Sequence, residues 1–214
     1  MNLALIVALA SALQPTTHPQ VEAFKAGCLT HHRDHTLAAP ALAAAGWARV
    51  DETDHAELAA SLALTRKSAT ENLEPDERMD VSFSVWRKTW GGRPMHLVLN
   101  RTHLISGETK DEDGDGEIQS WEKAFEITLL GCGVWDFDAT EPLPVDALNV
   151  WIGAEPVQVI DEPGMVSGGT WNIQHMNLGG TGEIQAGFMP EGSTHPLAVL
   201  SGTSITFTVA PEGD

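Results

Sequence analysis

Residues 81–99 read VSFSVWRKTWGGRPMHLVL, and this stretch decides the architecture that we expect. Apolar residues alternate with other residues on both sides of Gly91-Gly92: Val81, Phe83 and Val85 before it, and Met95, Leu97 and Leu99 after it. A period of two is typical of β-strands that bury one face. Glycine adopts positive φ without strain, so the Gly-Gly pair predicts a tight turn between two antiparallel strands.

The chain before this hairpin has the period of helices. Pro19 suits the first turn of a helix over residues 19–31, with Val21, Phe24 and Cys28 on one face. Further helices are predicted over residues 37–47 and 54–67. Asp54 and Glu57 have the spacing of a capping box at the start of the last one.

The chain after the hairpin reads as more strands separated by turns. Strands are predicted over residues 125–135, 157–160, 170–175, 182–188 and 204–209. Helices first and strands afterwards indicate an α+β fold, with N-terminal helices packed on a mainly antiparallel sheet.

Composition and charge limit the function classes. A chain of 214 residues suits one domain, here expected over residues 13–214. The net charge of −18 disfavours nucleic acid and anionic membrane surfaces as partners, because both are polyanionic. An acidic surface does attract divalent cations. It also keeps an exported protein soluble.

The first 12 residues resemble a signal peptide. Leu3 to Leu9 form an apolar run, and Ala10-Ser11-Ala12 follows as a small-x-small cleavage site. The run is too short for a membrane span, which needs roughly 20 residues. We therefore expect cleavage after Ala12, a periplasmic or secreted protein, and no stable membrane insertion after processing. An uncleaved anchor and a buried N-terminal helix are the alternatives.

Cys28 and Cys132 are the two cysteines of the chain. In an oxidising compartment, pairing them is the natural inference. Two buried free thiols are the alternative if the chain is not exported.

Residues 111–122 read DEDGDGEIQSWE and carry the clearest chemical pattern in the chain. Carboxylates stand at loop positions 1, 3, 5 and 12, Gly116 stands at the sharp turn of position 6, and Ile118 takes the apolar position 8. These twelve residues resemble an EF-hand calcium loop. The resemblance implies calcium as the cofactor, bound by oxygens of six residues: Asp111, Asp113, Asp115, Glu117, Gln119 and Glu122.

The surroundings of the loop differ from an EF-hand. Residues 95–105 read as a strand, so the entering helix is not expected. Ile118, Trp121 and Phe125 could share one face of a short exiting helix. We therefore predict a calcium loop inserted between two strands. An acidic loop that binds nothing is the alternative. At extracellular calcium concentrations such a site would be close to saturation, so stabilisation is its expected role.

Three further patterns in the sequence are weaker. Cys28 with His31, His32 and His35 could bind zinc, but exposed histidines at a helix end are the favoured interpretation. Five tryptophans could form a sugar- or peptide-binding surface, although core packing is favoured: Trp86, Trp90, Trp135, Trp151 and Trp171. Asp136 and Asp138 flank Phe137 as a possible carboxylate pair.

These patterns together favour an exported, non-catalytic binding or structural module stabilised by one calcium ion and one disulfide. Its partner, a protein or a glycan, is not specified by the sequence. The alternative is an extracytoplasmic hydrolase that uses the histidine cluster or Asp136 and Asp138. A deep pocket joining titratable groups would favour the hydrolase, and a shallow tryptophan-bearing face would favour binding.

Overall fold

The computed structural model describes residues 18–30, 34–71, 73–74, 77–107, 114–117, 124–173, 176, 181–194 and 200–210. Within these ranges the chain forms four α-helices: α1 Pro19–Phe24, α2 His35–Ala44, α3 Ala56–Glu71 and α4 Val145–Ile152. It forms eight strands: β1 Ala48–Val50, β2 Arg78–Trp90, β3 Arg93–Ser106, β4 Phe125–Asp136, β5 Gln158–Glu162, β6 Val166–Asn172, β7 Thr181–Met189 and β8 Gly202–Ala210. The predicted α+β class with a mainly antiparallel sheet is confirmed.

The predicted hairpin is confirmed as β2 and β3. Val85 lies opposite Val98 and Trp86 opposite Leu97, in antiparallel register. The turn residues Gly91 and Gly92 have φ of 60° and 85°, which glycine adopts without strain.

All eight strands form one sheet in the order β1-β2-β3-β4-β8-β7-β6-β5. Strands β1–β4 and β5–β8 are two antiparallel runs that meet where β4 pairs with β8, Cys132 lying opposite Phe207. Because the last strand pairs with the middle of the chain, the first and second halves share one hydrogen-bonded layer.

One face of the sheet is covered by α1 and the π-helical turn Lys25–Leu29 that continues it. Val21, Phe24 and Cys28 are all buried there, as the predicted helix face requires. Gln20 is also fully buried. Its amide donates to the carbonyls of Val134 and Thr203, and it accepts a hydrogen bond from the Thr203 hydroxyl. These bonds hold α1 across the β4–β8 junction.

The other face of β2 and β3 is covered by α3. Leu58 and Leu62 pack against Val85 and Val98 in a second buried cluster. A capping box at Asp54 requires the helix to begin at His55. The helix begins one residue later, at Ala56, so that prediction is wrong. The reason is tertiary: Asp54 and Glu57 bind side chains and backbone on other elements, described below.

Three further features differ from the sequence predictions. Phe125 begins β4, so it cannot lie on a helix leaving the calcium-type loop. The strand predicted over residues 170–175 begins earlier, at Val166, because Gly168 and Gly169 can pair in a sheet without presenting an apolar pattern. Helix α4 and the short strand β1 were not predicted, since each is too short to show a clear period.

None of the helices in the described ranges has the length and apolar character needed to cross a membrane. The predicted signal peptide, residues 1–12, lies outside the described residues.

Candidate functional site

The centre of the calcium-type loop is described at residues 114–117. Gly116 has φ of 83°, the positive value that loop position 6 requires. The backbone N–H of Glu117 donates to Oδ1 of Asp115 at 2.7 Å. Such a bond turns the chain back on itself, so that the Asp115 side chain and the Glu117 backbone lie side by side. The other predicted ligands lie outside the described residues: Asp111, Asp113, Gln119 and Glu122.

The predicted disulfide is confirmed. Cys28 and Cys132 are bonded, with their Cα atoms 5.4 Å apart and both residues buried. The bond joins the π-helical turn to the middle of β4, at a sequence separation of 104. It therefore fixes the N-terminal helix to the central strands.

The disulfide removes Cys28 from the zinc interpretation, because a sulfur bonded to Cys132 cannot act as a thiolate ligand. His35 begins α2 after Asp34, which caps the helix by accepting from the Thr36 N–H at 2.8 Å. Burial lowers the pKa of His35. His31 and His32 lie outside the described residues. In the part of the chain that the structure describes, no three His, Cys, Asp or Glu side chains group as metal ligands.

The tryptophans do not form a shared binding surface. Trp86 and Trp171 are buried in the core, and Trp151 on α4 packs edge-on to Phe24 with ring centroids 5.9 Å apart. The Trp171 indole N–H donates to Oδ1 of Asn149 at 2.9 Å, linking β6 to α4. Core packing is thus the role of these side chains, as favoured from the sequence.

Asp136 and Asp138 have different environments. Asp136 is fully buried, 3.0 Å from the Arg93 guanidinium, and its Oδ1 accepts from the Asp138 N–H at 3.1 Å. Burial raises the pKa of Asp136, and the positive charge of Arg93 opposes that rise. Asp138 is exposed on the turn that follows β4. Asp136 is therefore enclosed at the end of β4 beside Arg93 whereas Asp138 faces solvent, and the two carboxylates do not face one reaction centre.

A charged cluster that the sequence patterns did not predict lies between α3 and the sheet. Asp54 accepts from Arg87 at 3.1 Å through both carboxylate oxygens and contacts Nε2 of His96 at 2.9 Å. His96 is buried, and its Nδ1 has no hydrogen-bond partner among the described residues. Next to it, the ring of His55 stacks on Phe137 at 3.8 Å. The alternation of β3 was the available clue, since it places His96 on the face that α3 covers.

Acid should destabilise the protein through His96. Burial lowers the pKa of His96, and the hydrogen bond with Asp54 opposes this. The unfolded chain, with a histidine pKa of about 6.5, therefore binds more protons than the folded chain as the pH falls below that value. His18 and His35, whose pKa values burial also lowers, act in the same direction.

We expect the free energy of unfolding to decrease as the pH falls from 7 to 5, and the decrease to be smaller in His96→Gln. Urea unfolding at each pH measures it. Leu64→Gln, at an exposed position of α3, changes no titratable group, so it is the control and should keep the wild-type slope. Equal slopes in the wild type and His96→Gln would contradict the assignment.

A cavity of about 530 Å³ opens beside this cluster. Glu57, at the start of α3, accepts from both the backbone N–H and the hydroxyl of Ser201, at 2.5 and 3.0 Å. Asp138, Glu191 and Phe137 also line the cavity. Three carboxylates therefore face one space next to a serine hydroxyl, although they come from distant parts of the sequence.

The surface around β5 has a different character. All five residues of β5 are exposed, although Val159 and Ile160 are apolar. Val157 just before the strand is 71% exposed, and Val150 on α4 is 78% exposed. An apolar cavity of about 280 Å³ lies beneath this strand, beside α4. Val157 and Val159 are two residues apart in the chain, and exposed apolar patches are typical of interaction surfaces.

Comparison with known proteins identifies no similar protein. No protein-family model, no curated protein and no solved structure matches the chain.

Proposed function

We propose that this protein is an exported binding module, without catalytic activity, in which one calcium ion and one disulfide stabilise N-terminal helices packed on an antiparallel sheet. The observation that carries the binding role is that β5, the last strand of the sheet in the described part of the chain, exposes its apolar residues to solvent. A stable fold gains nothing from leaving valine and isoleucine in water. A partner protein that covers these side chains removes their apolar surface from water, which favours binding.

Calcium is proposed from the pattern of residues 111–122 and from the turn at its centre. Gly116 has the backbone angle that an EF-hand loop needs, and the Asp115 carboxylate lies beside the backbone of Glu117. The loop falls between β3 and β4, which are paired neighbours in the sheet, with Ser106 opposite Phe125. Paired strands hold the two ends of the segment close together. An ion bound there would therefore stabilise one conformation of the long connection between β3 and β4.

Export is proposed from the apolar run at residues 3–9 and is supported by the disulfide. Structural disulfides persist in oxidising compartments and are rare where thiols are kept reduced. The Cys28–Cys132 bond is buried and joins two core elements, so it has the character of a structural bond.

Calcium should raise the melting temperature of the chain that comprises residues 13–214. At ten to one hundred times the dissociation constant, binding to the folded state stabilises it by about 1.4–2.7 kcal/mol. For a chain of this size, that corresponds to about 3–10 °C. Scanning calorimetry in calcium and in chelator measures the difference, and isothermal titration measures the heat of binding.

Asp111→Ala with Glu122→Ala should abolish both effects, because the loop loses its first ligand and its closing ligand. Glu141→Ala with Asp146→Ala removes the same charge from an exposed segment elsewhere and should leave the calcium response intact. A calcium response that survives the loop substitutions would place the ion elsewhere and end the proposal.

A hydrolase at the cavity of Glu57 and Ser201 is the second candidate. The observation that favours it is that Glu57, Asp138 and Glu191 line the same cavity as Ser201, whose hydroxyl donates to Glu57. Turnover of ester, peptide or glycoside substrates that is lost in Glu57→Gln would favour this candidate over the binding module.

A further inference from the structure

We propose that β5 binds an extended, lysine- or arginine-rich segment of a partner protein as an additional strand of the sheet. This inference rests on the proposed binding role and names the partner's chemistry. Three observations support it: the outer side of β5, the cavity beneath β5, and the distribution of charged residues along the chain.

The first argument concerns the outer side of the edge strand β5. β5 is the last strand of the sheet in the described part of the chain, and it pairs with β6 alone. A terminal strand presents unpaired N–H and C=O groups along its outer side, and natural proteins protect such edges with lysine, proline or very short strands. The opposite edge, β1, has three residues and contains Arg49. Gln158–Glu162 has neither lysine nor proline, and its two charged residues, Asp161 and Glu162, are both acidic, so they repel another acidic edge but not a basic segment. Val159 and Ile160 point to opposite faces.

The second argument is the cavity beneath the strand. Gly168 and Gly169 lie opposite Ile160 and Val159, so β6 contributes no side chains there. A Cβ at Gly168 would collide with the backbone carbonyl oxygen of Ala186, so this glycine allows β6 and β7 to approach closely. The cavity of about 280 Å³ beside these strands is lined by Leu148, Val159 and Phe188, among others. In strand addition, main-chain hydrogen bonds supply affinity and pockets for alternate side chains supply specificity. An apolar side chain of the added strand can fill this space.

The third argument is charge. All 12 lysine and arginine residues of the chain lie at or before Lys123, whereas acidic residues continue to Asp214. Strands β4–β8 and α4 therefore contain no lysine or arginine, and β5 itself ends in Asp161-Glu162. A second copy of this chain would bring the same acidic half to the interface and be repelled. A basic segment is attracted to it, so charge complementarity selects the occupant.

A fluorescein-labelled nine-residue peptide that alternates lysine and valine tests the proposal by fluorescence anisotropy. A second peptide with the same sequence, N-methylated at every other residue, keeps the charge but loses half of its N–H donors. We expect the first peptide to bind the wild-type protein, and the N-methylated peptide to bind at least about tenfold more weakly, because strand addition needs those donors.

Val159→Lys should also weaken binding of the first peptide by about tenfold or more, since it places a positive charge and removes an apolar contact at the edge. Leu37→Lys makes the same charge change at an exposed residue of α2, beside β1 at the other end of the sheet, and should alter the affinity by less than about twofold. Circular dichroism checks that both variants are folded. If Val159→Lys does not fold, the N-methylated peptide still decides the outcome on the wild-type protein.

Equal affinity for the two peptides, or equal effects of the two lysine substitutions, would overturn the proposal and show only non-specific attraction to an acidic protein. A wild-type dimer in sedimentation that Val159→Lys dissociates would also overturn it, by making a second copy the occupant. The titration is run in calcium and in chelator. Failure of the peptide to bind while calcium still raises the melting temperature would reject this partner and leave the calcium-stabilised module standing.

Discussion

Replacing both Cys28 and Cys132 with alanine is expected to lower the free energy of unfolding by about 2–5 kcal/mol. The bond closes a loop with a sequence separation of 104. In the chain-entropy model a loop of that length gives about 4.7 kcal/mol, which native-state effects reduce. Because both side chains are buried in the main core, the double variant also loses packing that two methyl groups only partly replace.

Urea unfolding of the wild type and the double variant, with and without dithiothreitol, measures this loss. The reductant should destabilise the wild type by less than the double substitution does, because the reduced thiols keep most of the packing, and it should leave the alanine variant unchanged. The difference between the two losses separates the bond from the packing. A double variant as stable as the oxidised wild type would show that the bond contributes nothing to the folded state.

Trp171→Ala is expected to cost about 3–5 kcal/mol, the usual range for removing a large buried aromatic side chain. The indole is fully buried, lies opposite Ile184 on β7, and donates a hydrogen bond to Asn149 on α4. Its loss would leave a cavity between α4 and the sheet, at the side of the molecule that carries β5.

Trp171→Phe separates the two contributions. It keeps an aromatic ring in the core but removes the N–H, so it should cost about 1–2 kcal/mol, since the Asn149 carbonyl then lacks its donor. Chemical denaturation at pH 7 measures both variants. A loss below about 1 kcal/mol for Trp171→Ala would contradict the core role and reopen a surface role for this tryptophan.

The periodic pattern of the sequence was sufficient for the elements that are long and half-buried. Strands β2 and β3 alternate apolar and other residues over many positions, and Gly91-Gly92 supplies the positive φ angles that the tight turn between them needs. The disulfide was also predictable, because two cysteines allow one pairing. Each of these inferences uses a property of nearby residues or a simple count.

The pattern failed where an element is short or where its neighbours decide its environment. Helix α4 has eight residues, too few for a clear period. The capping box at Asp54 was wrong because Arg87 and His96, on strands folded beneath α3, bind its carboxylate. The residues next to Asp54 are the same whether its carboxylate is solvated or is bound by Arg87 and His96. The local sequence could therefore not predict these partners.

By itself, then, the sequence determined the α+β class, the central hairpin, the disulfide and the glycine turn at Gly116. Only the tertiary structure decided that β8 pairs with β4, that Glu57 meets Ser201, and that β5 ends the described sheet with Val159 and Ile160 exposed. The physical reason is distance along the chain. Side-chain periods and turn propensities act over a few residues, whereas strand order and buried ion pairs depend on which distant segments find the most favourable packing.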